Sequence, residues 1–325
     1  KPNMAATGIE RRRAMPPGGR IGYFDGADGR PLRYGRWPAI VGQPHGSVIV
    51  LNGRGEFIEK HFETYADLLD RGYGVATMDW RGQGLSARGD GPPGKDHLTD
   101  FCMRRADLAT FLRHVVDRAL PAPYFAIAHS MGGHILAHHL HDHPRSFARA
   151  ALLSPMIGID TAPLPPALVA MLVALMHGLG RDTAFLPGQG RGGMPDESAK
   201  RQRLLTHDRD RFLDEVEAIR HNPALAPGGM TFGWLQAARR SLAALHAPGY
   251  AEAIATPVLI LEAGDDRVVD NRATAAFAAR LPQARRVRIA GARHELLKET
   301  DAIRQRVWQE IMRFFKQPLF KPPPA

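Results

Sequence analysis

Three residues far apart in the 325-residue chain, Ser130, Asp266 and His294, are of the types that nucleophilic hydrolysis needs. A serine hydroxyl is a poor nucleophile near neutral pH. An imidazole within hydrogen-bond reach can take its proton, and a carboxylate can orient that imidazole and stabilise its cation. Ser130 lies in Ala128-His-Ser-Met-Gly-Gly133, between an apolar run at 124–128 and a stretch of helical pattern. That is the layout of strand, tight turn and helix, which lifts the hydroxyl clear of the backbone. Ala128 and Gly132 are small, as expected where strand and helix backbones nearly touch. Such a motif also arises by chance, so its weight comes from the base and acid downstream. Asp266 follows the apolar run 257–263, and His294 follows 286–289 in Gly291-Ala-Arg-His294. Asp265 and Asp270 compete for the acid's role. Asp265 is expected to face solvent or cap the turn, and Asp270 to cap the helix that begins at Asn271.

An acyl-transfer site also needs two backbone N–H groups for the developing oxyanion. Met131, directly after the serine, is expected to supply one. Arg54, in the sharp turn Asn52-Gly-Arg-Gly-Glu56 after the run 47–51, is expected to supply the other. The Arg54 side chain could meet an anionic head group, although a salt bridge is its commoner fate. His134, His138, His139, His141 and His143 invite a metal reading, since His134 and His138 stand one helical turn apart. The chain has no HExxH pattern and serine chemistry needs no metal, so an exposed, histidine-rich helix end is expected, with no metal and no cofactor. The turn Asp79-Trp-Arg-Gly-Gln-Gly-Leu-Ser86 lacks the ending and spacing of nucleotide-binding loops and reads as tight polar loop packing.

The elements that must position these groups alternate. Residues 21–37 read as an antiparallel hairpin; 47–51, 75–79, 124–128, 150–154, 257–263 and 286–289 as further strands; and 58–70, 98–120, the stretch that follows Ser130, 271–281 and 300–315 as helices. This rhythm implies an α/β fold with a mostly parallel sheet covered on both faces. It breaks between residues 156 and 247, where an apolar helix (164–176), a flexible glycine-rich loop (187–193) and a charged helix (200–220) look like a cap or lid. The expected organisation is a tail at 1–20, a core at 21–155, a cap at 156–247, the returning core at 248–317, and a proline-rich, frayed tail at 318–325. The apolar helix could pack on the core, line an acyl-chain pocket or touch a lipid surface.

Composition bounds the rest. The one cysteine, Cys102, excludes an internal disulfide and reads as a buried structural thiol. The first twenty residues carry arginines and no apolar stretch, so no secretory signal is expected, and a cytoplasmic protein is. The triplet Arg11-Arg-Arg13 reads as a solvated tail. A formal net charge of +10 is compatible with peripheral contact at an anionic membrane face. Charges of both signs are scattered and no recognition motif appears, so nucleic acid is not expected as a partner.

Taken together, these motifs resemble the α/β-hydrolase fold, specifically the lysophospholipase and monoacylglycerol lipase group often filed with serine aminopeptidases. The resemblance rests on residues 52–56, Asp79-x-Arg-Gly-x-Gly-x-Ser86, residues 128–133, Gly264-Asp-Asp-Arg-Val-Val269 and residues 291–294, and it spans about residues 21–315. It implies an eight-stranded sheet, a Ser130, Asp266 and His294 triad, an Arg54 and Met131 oxyanion hole, and a lid made by the insertion. Ala128 stands where relatives carry glycine. Asn52 stands where many carry histidine, which is more similar to the bacterial lysophospholipase L2 branch. The implied substrates are single-chain acyl lipids, lysophospholipid before monoacylglycerol. A small-ester carboxylesterase, a thioesterase, a peptidase and a non-catalytic binding protein of the same fold are the alternatives.

Overall fold

In the computed structural model, which describes residues 8–89, 91–192 and 194–318, the chain builds one eight-stranded sheet and ten α-helices. In chain order the elements are α1 (Gly8–Arg13), β1 (Arg20–Asp25), β2 (Pro31–Trp37), β3 (Ser47–Leu51), α2 (Phe62–Asp70), β4 (Gly74–Met78), α3 (Cys102–Phe111), β5 (Tyr124–His129), α4 (Met131–Asp142), β6 (Arg149–Leu153), α5 (Pro166–Gly178), α6 (Ala199–Leu205), α7 (Arg209–His221), α8 (Phe232–His246), β7 (Val258–Ala263), α9 (Asn271–Ala278), β8 (Ala284–Ile289) and α10 (Asp301–Phe315). The strand order is β1-β2-β4-β3-β5-β6-β7-β8. β1 and β2 are antiparallel to their neighbours and every other pairing is parallel. This is the α/β-hydrolase fold expected from the rhythm of the sequence.

The central strands are buried on both faces, so their side chains divide by parity between two cores. Ile49 and Leu51 point with Met78, Ala126, Ala128 and Leu152 toward α3, α4 and α8. Val48 and Val50 point with Val75, Ile127, Leu153 and Leu261 toward α2 and α10. Register brings the carboxyl ends of the strands level, with Leu51 opposite Ala128, Ala128 opposite Leu152, and Ala263 opposite Ile289. The loops that leave these ends therefore gather along one edge of the sheet.

Several local expectations need correction. The helix expected over 98–120 spans 102–111 and passes into a wider turn at 112–116. The charged helix near 200–220 is two helices, because Thr206 turns its hydroxyl to the Lys298 carbonyl (2.7 Å) and Asp208 caps α7 by accepting from Arg211 N. Cys102 is exposed rather than buried, since it opens α3 on the solvent side. The arginine triplet is not a solvated tail: it forms α1, where Arg12 and Arg13 grip Asp214 (3.1 and 2.8 Å) and Arg11 pairs with Asp70. The glycine-rich segment at 187–192 is pinned, with Gly229 N donating to Gly190 O (3.1 Å) and Gly192 N to Gly94 O (3.3 Å). Lys1–Thr7 and the proline-rich 319–325 lie outside the described residues.

Candidate active site

Ser130 occupies the sharp turn between β5 and α4 with φ 49° and ψ −115°. The left-handed region is costly for a residue with a Cβ, and the surroundings impose it. Ser130 N donates to Leu153 O (3.0 Å), and its carbonyl accepts from His134 N (3.1 Å) and Met156 N (2.9 Å). Gly132 is required by its neighbours: a Cβ there would lie 2.5 Å from Leu51 O and 2.6 Å from Asn52 O. The close approach that keeps this residue small is thus to the end of β3, not to the strand that carries the serine.

His294 reaches the same point from the loop after β8. Its Nε2 lies 3.0 Å from Ser130 Oγ, and its Nδ1 lies 2.9 Å from Asp266 Oδ2. The other carboxylate oxygen accepts from Val268 N (2.8 Å) and Val269 N (3.1 Å), which fixes the plane of the acid. Burial works against the Asp266 charge, yet His294 and these two donors hold its carboxyl below the usual carboxylate value. Asp265 is exposed, and Asp270 caps α9 by accepting from Arg272 N (2.8 Å), so neither reaches the histidine. The three residues named from the sequence are joined in one hydrogen-bonded chain.

The Asn52–Glu56 turn lies against the start of α4. Gly53 N donates to Glu56 Oε2, and Gly55 N to Gln83 Oε1 (2.7 Å). Trp80 Nε1 holds Asn52 O (2.7 Å). The N–H groups of Arg54 and Met131 donate to no group among the described residues. The Arg54 side chain takes the expected ion pair, with Asp96 at 3.2 Å.

Behind His294 stands a buried ionic network that sequence reasoning missed. His129 Nδ1 lies 3.0 Å from Glu56 Oε2, and its Nε2 lies 3.2 Å from the His294 carbonyl. Both partners are acceptors, which calls for a proton on each ring nitrogen. Burial alone would lower the His129 pKa, but the Glu56 carboxylate overcomes it and raises it above the ordinary value. Lys60 Nζ, also buried, meets Glu56 (3.2 Å), Glu295 (2.6 Å) and, from α7, Glu215 (2.6 Å). Leu205 O, at the end of α6, accepts from Glu295 N (2.9 Å). The loop that carries the histidine is therefore tied to α6 and, through Lys60, to α7. Glu56 and His129 both fall inside motifs singled out in the sequence, and that adjacency was the only available signal.

The histidines of α4 are not an exposed helix end. His134, His138 and His139 are buried. α8 covers the first two, whose Nε2 atoms share Ser241 Oγ (2.7 and 3.0 Å), and His138 Nδ1 meets the Tyr250 hydroxyl beyond that helix (2.6 Å); the His139 ring packs on Phe147.

Known proteins extend this picture. The serine aminopeptidase, S33, family matches residues 42–301. The chain is 33% identical over 307 residues to lysophospholipase L2 of Escherichia coli (strain K12), covering 90% of this chain and 86% of that protein. It is 31% identical over 276 residues to a probable lysophospholipase L2 of Haemophilus influenzae, covering 84% and 85%. Its fold is similar to a soluble variant of monoglyceride lipase from Saccharomyces cerevisiae, with a TM-score of 0.71 at 21% identity over 91% of this chain and 95% of that one. The chain belongs to the serine aminopeptidase S33 family of α/β-hydrolases and is an esterase/lipase-type carboxylic-ester hydrolase.

Proposed function

We propose that Ser130, His294 and Asp266 are the catalytic triad and that the preferred substrate is a single-chain acyl lipid, lysophospholipid before monoacylglycerol. The observation that carries this reading is the Ser130–His294–Asp266 hydrogen-bond chain, with two uncommitted N–H groups beside it. His294 Nε2 takes the Ser130 proton as Oγ attacks the ester carbonyl carbon. The carbonyl oxygen gains the charge and accepts from Met131 N–H and Arg54 N–H, while Asp266 stabilises the imidazolium. Collapse expels the alcohol, which receives the proton from His294 and leaves the acyl group on Ser130. Water then repeats the sequence: His294 removes its proton, the oxyanion forms again, and the free acid departs as Ser130 regains its hydrogen.

The lipid assignment draws on the relatives' names and on the insertion, read here as a cap. Leu164, Leu168, Met171, Leu172, Leu175 and Leu179 recur at helical spacing along and beside α5 and are all exposed, whereas Val173 is buried. An apolar stripe of this kind, on a chain of net charge +10, suits peripheral contact with an anionic lipid surface. Among the described residues no helix is long and apolar enough to cross a membrane.

The test is an ester series from short p-nitrophenyl esters to long-chain lysophosphatidylcholine and monoacylglycerol, run with the wild type and Ser130→Ala. Turnover should peak on the long single-chain lipids and fall by about 10⁴-fold or more in the variant. A peak on short esters would reject the lipid assignment and leave the triad. Equal turnover in the two proteins would reject the nucleophile.

A further inference from the structure

Beside the Asn52–Glu56 turn lies a cavity of about 420 Å³, walled by Arg54, the pinned segment 188–192, the start of α6 and residues 227–229. Four cations line it, Arg54, Arg191, Lys200 and Arg201, against a single carboxylate, Asp196. We infer that this cavity is a subsite for a phosphate group, and that it receives the headgroup phosphate of a lysophospholipid whose ester lies at Ser130. The inference rests on the proposed lipid-ester reading and adds to it the group that separates lysophospholipid from monoacylglycerol.

Charge accounting decides which cations are available. Arg201 is committed to Glu215 (2.6 Å). Arg54 is not neutralised by its partner, because Asp96 is shared: Oδ2 meets Arg54 Nη1 (3.2 Å) and Oδ1 meets the buried Arg104 Nη2 (3.1 Å). One carboxylate thus faces two guanidinium groups. Only Nη1 of Arg54 is occupied, by Asp96 and by Gly228 O (3.4 Å), which leaves Nε and Nη2 without an acceptor among the described residues. Arg191 and Lys200 are exposed and form no ion pair among the described residues. Paired N–H donors of a guanidinium beside two further cations match the non-bridging oxygens of a phosphate.

The walls hold these groups in place. A Cβ on Gly192 would lie 2.2 Å from Pro227 O, and one on Gly229 would lie 2.3 Å from Gly190 O, so the backbone around Arg191 is packed too closely to swing freely. Position supplies the link to catalysis. Arg54 offers its backbone N–H to the proposed oxyanion and lines the cavity, so one residue belongs to both the proposed ester site and the cavity.

The test compares wild type with Arg191→Ala/Lys200→Ala on lysophosphatidylglycerol and monoacylglycerol of the same acyl chain, each in neutral mixed micelles. Both side chains are exposed and unpaired, so their removal leaves no buried charge alone. The ratio of kcat/KM for the phosphate-bearing lipid to that for the phosphate-free lipid should fall about tenfold, the equivalent of one charge-assisted contact. In wild type, glycerol 3-phosphate and inorganic phosphate should compete with a short p-nitrophenyl ester, and the double variant should lose that inhibition. An unchanged ratio, or equal losses on the two lipids, would overturn the subsite. If neither lipid is turned over while the short ester is, the lipid reading fails. The inhibition arm then judges the cavity alone: inhibition lost in the variant supports a site for free phosphates, and no inhibition in wild type overturns it.

Discussion

At the scale of single residues, the machinery is a short polar chain held by a much more elaborate buried support. Lys60 is its centre. Burial opposes the ammonium charge, but Glu215, Glu295 and Glu56 outweigh that and raise its pKa. Lys60→Met would leave three buried carboxylates facing one another, one of them, Glu295, directly after His294. Breaking a buried ionic cluster by removing one partner costs about 3–5 kcal/mol, mostly from the charges left unpaired. A lowered thermal midpoint is therefore expected, together with a fall in kcat larger than any change in KM, because the His294 loop loses its brace. The Lys60→Met/Glu215→Gln pair should recover part of the stability. Additive losses in this double variant, measured by denaturant titration, would show that the two side chains do not act on each other. Beyond the place of Glu56 and His129 inside the motifs, none of this support was legible in the sequence. Apart from the i,i+4 pair Glu56 and Lys60, the members His129, Glu215 and Glu295 are far apart in the chain, and charged residues are read by default as solvated.

At the scale of elements, what was legible follows from periodicity. Each candidate catalytic residue sits just beyond an apolar run, so Ser130, Asp266 and His294 could be assigned to strand ends before their distances were known. The strand-end register then brings them together. Legibility failed where tertiary contacts override local pattern. The break between α6 and α7 depends on Thr206 reaching Lys298 O, and the burial of His134 and His138 depends on α8. The apolar character of α5 was plain, but its partner was not, and its stripe faces outward. If that stripe makes the proposed lipid contact, Leu175→Asp should reduce binding to vesicles rich in anionic phospholipid, measured by flotation, by about tenfold. Hydrolysis of a short soluble ester should not change. Undiminished flotation would reassign the stripe to another role.

At the scale of the whole molecule, buried histidines make stability depend on acidity. Burial, with His143 nearby, pushes His139 down to about 3; burial and Arg105 push His138 down to about 4. Both are neutral in the folded state and take up a proton on unfolding below about pH 6.5. The unfolded state then binds more protons, so stability rises with pH in this window. As pH falls from 6.5 toward 4, stability should decline by up to about 1.4 kcal/mol per pH unit for each histidine, and His139 continues the decline toward 3. His129, whose pKa is raised, acts in the opposite sense, so a single-site comparison is needed. His139 Nε2 is buried without a hydrogen-bond partner among the described residues and its ring packs on Phe147, which makes His139→Leu a mild replacement. Denaturant titrations from pH 7 to 4 should show a shallower slope for His139→Leu than for wild type. Parallel curves would contradict the assignment of a neutral buried imidazole.

The central claim is that Ser130 carries the acyl group, and it can be observed directly. Wild-type protein and Ser130→Ala would be mixed with a slow-deacylating p-nitrophenyl ester, quenched in acid within the first turnover and digested for mass spectrometry. One acyl adduct is expected, on the peptide bearing Ser130 and absent from the variant. An adduct on any other residue, or turnover in Ser130→Ala at the wild-type rate, would contradict the claim.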